Sequence, residues 1–180
     1  MTGASMSASV DAKEAARAFA ALKGMMDDTT PIMKAIGVGL VRDTQDRFMD
    51  AVDPDGEPWA PLLPAYAAIK SGPGILREHG MRGGLMGSIT SKASRNAVEV
   101  GTNKIYGAVH QFGATITPKN ASHLFFELAG GLVKAKSVTI PARPYLGIGP
   151  TDERTILETV TDALDRQIAR SIRQAPNKSL

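Results

Sequence analysis

Apolar positions recur at helical spacing towards both ends of the chain and alternate in its middle. The clearest pattern is C-terminal. Ile156, Val160, Leu164, Ile168 and Ile172 recur every four residues and predict a helix over about Thr151–Arg173. Asp152, Glu153 and Glu158 come early in it, and Arg166, Arg170 and Arg173 come late, an order that suits the helix dipole. Near the N-terminus, Phe19, Leu22 and Met26 mark one face of an alanine-rich helix through Ala12–Met26, with Asp11 as N-cap. A second helix carries Ile32, Ile36, Leu40 and Phe48, with Thr44 as the polar member of the stripe. Thr30 is positioned to cap it and Pro31 to take its first turn. Gly37 and Gly39 interrupt it at a cost of about 1 kcal/mol each. A close contact with another helix or a sheet is the expected compensation.

The period then shortens to two. Ser88–Ala93 and Ala97–Gly101 read as strands around an Arg95-Asn96 turn. Ile105, Val109 and Phe112 fall on one face of a short helix, and Ala114–Thr117 is extended. Leu124–Leu128 and Leu132–Ile140 flank Ala129-Gly130-Gly131, a hairpin signal. Both faces of that hairpin are apolar at Phe125-Phe126, so it should seek a partner. Asp53–Trp59 is a turn and Leu62–Ile69 a short helix. Ser71–Gly87, rich in glycine and holding Arg77, His79 and Arg82, reads as a mobile loop or one ordered on assembly. Pro141-Ala142-Arg143-Pro144 ends the last strand in an extended corner. The expectation is an α+β fold: a small, mainly antiparallel sheet with helices packed on one face, and a long C-terminal helix. Residues 1–9 are expected to be disordered, 10–175 to form a single domain, and 176–180 to be a polar tail.

Composition narrows the function classes. Aromatics are only 5% of 180 residues, so an aliphatic core is expected. No cysteine is present, which excludes a disulfide scaffold and cysteine-based metal or redox chemistry and fits folding in a reducing cytoplasm. No apolar run reaches the length of a membrane span. Met1–Val10 lacks the regions of a secretory signal. A net charge of +3 is too mild to argue for nucleic-acid binding across the whole fold, though it leaves room for a local basic patch.

The chemistry searched for is mostly missing. The histidines, His79, His110 and His123, have no zinc-site spacing. His110 reads as a half-buried residue that orders nearby backbone. Reading it as a hydrolase base needs a substrate pocket that the sequence does not indicate. Gly37-x-Gly39 lacks the strand and third glycine of a dinucleotide loop, and the glycine-rich loop lacks a P-loop ending. Asp53-Pro54-Asp55-Gly56 lacks the ligands of a calcium loop. Asp43 with Asp46, and Asp162 with Asp165, read as solvated helix surface. Trp59 should cover a core edge while its N–H finds an acceptor. Arg143 should anchor a salt bridge, within the subunit or between subunits. No catalytic set, cofactor or metal is expected.

Four elements occur in a familiar order: Pro54-Asp55-Gly56-Glu57-Pro58-Trp59-Ala60-Pro61-Leu62; Gly83-Gly84-Leu85-Met86-Gly87-Ser88-Ile89; Val100-Gly101-Thr102-Asn103 with Tyr106, Ala108 and His110-Gln111-Phe112-Gly113; and Ile140-Pro141-Ala142-Arg143-Pro144-Tyr145-Leu146. Together, over about Phe48–Ile148, they resemble the bacteriophage virion morphogenesis (tail completion) proteins of Mu-like and P2-like contractile-tailed phages. Arg82 departs from that pattern, where members carry a small hydroxyl residue.

The resemblance implies a structural virion protein and not an enzyme. It would complete the tail at its head-proximal end, allow head–tail joining, and form a homo-oligomeric, six-fold ring. Trp59, Ser88, Gly101, Asn103, Tyr106, His110, Gln111, Phe112, Gly113, Arg143 and Pro144 would then serve the fold or an interface. Phe125, Phe126 and the glycine-rich loop are the candidate ring contacts, and Lys134 and Lys136 candidate residues of a DNA-facing lumen. The implied partners are other copies of the chain, tail tube, sheath or neck proteins, and non-specifically the genome, with no membrane. The implied location is the tail or neck of a virion assembled in the host bacterial cytoplasm. The alternative is a head–tail connector that contacts DNA or portal.

Overall fold

A computed structural model describes residues 12–78 and 83–173. The readings of residues 1–9, of His79 and Arg82, and of the tail 176–180 lie outside the described residues. Five helices and six strands follow in order: α1 (Ala12–Asp27), α2 (Thr30–Asp50), α3 (Pro64–Ala67), a 3-10 turn (Met86–Ser88), β1 (Thr90–Ala93), β2 (Val98–Gly101), α4 (Gly107–Phe112), β3 (Ala114–Ile116), β4 (Leu124–Leu128), β5 (Gly131–Ala135), β6 (Val138–Ile140) and α5 (Pro150–Arg173). The fold class is α+β. The strands form three antiparallel ribbons, β1–β2, β3–β6 and β4–β5, rather than one sheet. The apolar run Leu132–Ile140 breaks at Lys136-Ser137, so β5 pairs back to β4 while β6 turns away to β3.

α2 is the central element. α5 and the β1–β2 ribbon both pack on it. Its two glycines explain how. A Cβ at Gly37 would stand 2.7 Å from Ser91 Oγ, and one at Gly39 would stand 2.5 Å from Thr155 Cγ2. One glycine admits the ribbon and the other admits α5, so each offsets its helix penalty with a close approach. Ile36, Leu40, Thr44 and Phe48 are buried as the stripe predicts, and the Thr44 hydroxyl donates to the Leu40 carbonyl at 2.7 Å. The helix starts one residue earlier than a Thr30 cap would have it. The Asp28 carboxylate accepts from Thr30 N–H at 3.0 Å, and hydrogen bonding to Thr30 holds its pKa below the ordinary value.

Two apolar faces differ from expectation. On α1, Leu22 is partly covered as expected, but Phe19 and Met26 are exposed, and Ala18, Ala21 and Met25 are partly covered in their place. The small alanines let α1 lie close to α5. Beside and on α4, Ile105 is 98% and Phe112 78% exposed. Only Val109 of that trio is half-buried.

The core gathers Phe48, Trp59, Leu76, Leu85, Met86, Ile89 and Tyr145. Most of the buried hydrophobic residues are non-aromatic, as the scarcity of aromatics implies, but three rings sit at the centre. Phe48 meets Trp59 edge-on at 5.4 Å and Tyr145 at 5.2 Å between ring centroids. Scarce aromatics are concentrated where area and shape count most.

Beside them lies a buried ion pair. Arg47 holds Asp152, at the start of α5, while its other terminal nitrogen donates to the carbonyls of Tyr145 at 3.0 Å and Gly147 at 3.2 Å. Asp152 also accepts from Gly149 N–H at 2.8 Å. The sequence reading gave Asp152 only a dipole role.

Candidate functional site

The motif residues converge on the extended segment Arg143–Gly147, which among the described residues has no strand partner. A buried backbone must satisfy its N–H and C=O groups somewhere. Here side chains do it. Gln111 acts as a surrogate strand: its Oε1 accepts from Tyr145 and Leu146 N–H, both at 3.0 Å, and its Nε2 donates to the Leu146 carbonyl at 2.8 Å. The Trp59 indole N–H donates to the Pro144 carbonyl at 2.7 Å. Arg143 N–H donates to the His110 carbonyl at 2.7 Å. Gly113, at φ 72°, turns the chain from α4 into β3, and a Cβ there would stand 2.8 Å from Ala142 N. Only glycine adopts that conformation and leaves that space.

Arg143 reaches the other way. Its Nε donates to the Ala60 carbonyl at 2.8 Å and an Nη to the Pro61 carbonyl at 3.0 Å. Within the subunit, a fork onto two carbonyls therefore takes the place of the expected salt bridge. Among the described residues no carboxylate pairs with this guanidinium. Arg143 is buried, and burial draws its pKa down from the ordinary value. Burial also raises that of the Tyr145 phenol.

The second and third motifs meet where Ser88 Oγ and Thr102 Oγ1 lie 2.5 Å apart. Ser88 Oγ also bonds the Leu85 carbonyl at 2.7 Å, and Thr102 Oγ1 accepts from Lys104 N–H at 3.1 Å. Gly101 ends β2 opposite Thr90. Asn103 is exposed. Tyr106 precedes α4 and sets its ring edge-on to His110 at 6.0 Å.

A cleft of about 520 Å³ opens beside this knot. Leu62, Leu76, Phe126, Leu128 and Ile140 give it apolar walls, with Tyr66, Glu78, His110, Glu127, Thr139 and Arg143 as its polar residues. His110 Nδ1 has no hydrogen-bond partner among the described residues. Its pKa is lowered, first by burial and then by the Arg143 charge, with Glu78 opposing, so the ring is neutral at pH 7. Among the described residues no group of histidines and acids is placed to hold a metal ion, and no helix is long and apolar enough to cross a membrane.

The proposed contact residues lie on the β4–β5 hairpin. Phe125 is 61% exposed, and Lys134, directly opposite it, is exposed too. Phe126 turns inward to the cleft, so the two phenylalanines do not share one surface. Lys136 lies just past β5, also exposed. Sequence reasoning missed Arg47 and Asp152. The available signal was a charge at position 47, beside Phe48 on the apolar stripe of α2.

The chain is similar in sequence to proteins of phages and prophages. Mu-like prophage FluMu G protein 2 of Haemophilus influenzae is 41% identical over 78 residues, covering 43% of this chain and 45% of that protein. Protein G of Escherichia phage Mu, whose name provisionally assigns it to capsid assembly, is 28% identical over 151 residues, covering 79% of this chain and 81% of its own length. FluMu G protein 1 of Haemophilus influenzae is 29% identical over 136 residues, covering 73% and 75%. No solved structure matches significantly. The phage virion morphogenesis family matches residues 10–165, and the chain belongs to that family.

Proposed function

We propose that this phage assembly protein completes the tail at its head-proximal end, as one subunit of a homo-oligomeric ring that lets tail and head join. The observation that carries the reading is the division of labour among the motif side chains. Gln111, Trp59 and Arg143 are spent on the protein's own backbone, while Phe112, with Ile105 beside α4, is left in water. Apolar side chains displayed this way suit protein–protein contact and not turnover of a substrate. In this reading the chain is not an enzyme. It resides in the tail or neck and binds copies of itself and tail tube, sheath or neck proteins. Exposed Lys134 and Lys136 face the passing genome, a sequence-independent and salt-sensitive contact.

Electron microscopy of lysates from a phage lacking this gene tests the reading. Filled heads beside separate tails are the expected result. Missing or aberrant heads favour the capsid role in the phage Mu protein's name, and finished particles sink both.

A further inference from the structure

A second hollow, of about 220 Å³, shares no residue with the cleft. It lies where the last turns of α2 meet the Asp53–Gly56 turn and the start of α5. Asp43, Asp46 and Asp50 line it from α2, and Asp53 and Asp55 from the turn. Arg47 lines it too, but its charge is taken by Asp152. Among the described residues Asp46, Asp50, Asp53 and Asp55 form no ion pair. Asp43 is the inner member. Contrary to the solvated surface expected for it, it is 5% exposed, and its Oδ2 has no hydrogen-bond partner among the described residues. Arg42 stands 3.8 Å from its Oδ1 with its own side chain 72% exposed, a contact that water screens.

This arrangement destabilises the free subunit. Carboxylates three and four residues apart on one helix face repel each other. They also gather near the helix C-terminus, whose dipole disfavours negative charge. A buried carboxylate short of partners adds a desolvation cost. A cation in the hollow would relieve all three. The site narrows which cation. Among the described residues no three acids are placed to hold one metal ion. The charge runs instead along about 10 Å of helix between Asp43 and Asp50, at 1.5 Å per residue. A cation approaching buried Asp43 must also shed water. Guanidinium is more weakly hydrated than ammonium, and its planar fork meets a carboxylate with two hydrogen bonds at once.

We propose that this hollow is a binding site for a guanidinium group, carried by an arginine of a protein that joins this chain in the particle. Asp43 supplies the buried countercharge, and exposed Asp46, Asp50 and Asp55 supply oxygens at the rim. The partner's place in assembly rests on the function proposed above; the chemistry of the site does not.

Agmatine, a guanidinium on a short alkylamine, is the probe, and cadaverine is the bis-ammonium of similar reach and equal charge. Titrated into the ¹⁵N-labelled full chain at constant ionic strength, agmatine should shift amides of Asp43–Gly56 and Thr151. Cadaverine and Mg²⁺ should bind there about tenfold more weakly. Asp43→Asn should weaken agmatine about tenfold, and Asp50→Asn, at the exposed rim, serves in its place if Asp43→Asn fails to fold. No shifts below about 20 mM agmatine, shifts scattered over other acidic surface, equal binding of the three cations, or tighter binding of Mg²⁺ overturns the site. Asp46→Lys combined with Asp50→Lys suits the helix dipole, so the chain should fold, yet it should lose particle complementation. Full complementation by that variant overturns a partner's arginine as the occupant. The lysate experiment reports on the stage of assembly, whereas the titration reports on the chemistry of the hollow, so either can fail alone.

Discussion

The backbone knot around Arg143–Gly147 and the β4–β5 hairpin lie on either side of the cleft and are built on opposite terms. In the knot, polar side chains satisfy most of the backbone groups and two of the aromatic rings lie buried beside it. On the outer face of the hairpin, Phe125 and Leu132 are 61% and 75% exposed on a ribbon with an unpaired edge. The knot is finished within one chain; the hairpin is not. The difference separates residues that make the subunit from residues left for an assembly.

The sharpest way to break this contrast is Arg47→Ala. It strands a buried Asp152 and releases two carbonyls, so it should cost about 3–5 kcal/mol in urea unfolding. A loss below about 1 kcal/mol would show that the knot is dispensable. Gln111→Ala leaves two N–H groups and one carbonyl without partners and should cost about 2–3 kcal/mol. Trp59→Phe keeps most of the ring contact but orphans the Pro144 carbonyl, for about 1–2 kcal/mol. Ser at both Phe125 and Leu132 should move stability by no more than about 0.5 kcal/mol while abolishing assembly in particle complementation. Full complementation by that double variant would erase the distinction.

The smallest effect is the response to pH. His110 has its folded-state pKa lowered below the ordinary 6.5, so between those two values the unfolded chain binds more protons. Its stabilising share is present above pH 6.5, declines as pH falls towards the folded pKa, and stays lost below it. His110→Gln should flatten that slope in urea midpoints compared between pH 7.5 and pH 5. An unchanged slope assigns the acid response to other groups.

Much of the fold was legible. The α2 stripe, the two hairpins and the long C-terminal helix follow from period and turn residues. What the period could not tell was whether a face is covered. Ile105, Val109 and Phe112 share a helical face, yet the face is turned mostly to water, because coverage depends on elements distant in sequence. The ribbon division was hidden for a related reason. Leu132–Ile140 is continuously strand-like, and the exchange of partners at Lys136-Ser137 is decided by where β3 lies. For Arg143, the residue type pointed to an anchor, but carbonyl acceptors leave no mark in side-chain sequence. The Arg47–Asp152 pair spans 105 positions, beyond any local signal.

One consequence follows from the bare stretch of α2. At Gly37 and Gly39 that helix has no side chain of its own, and the ribbon and α5 reach its backbone through Ser91, Val98 and Thr155. A helical backbone cannot yield by changing rotamer, so at these two points only one partner of each contact can adjust. The packing there has less play than an ordinary helix contact, in which both sides can move.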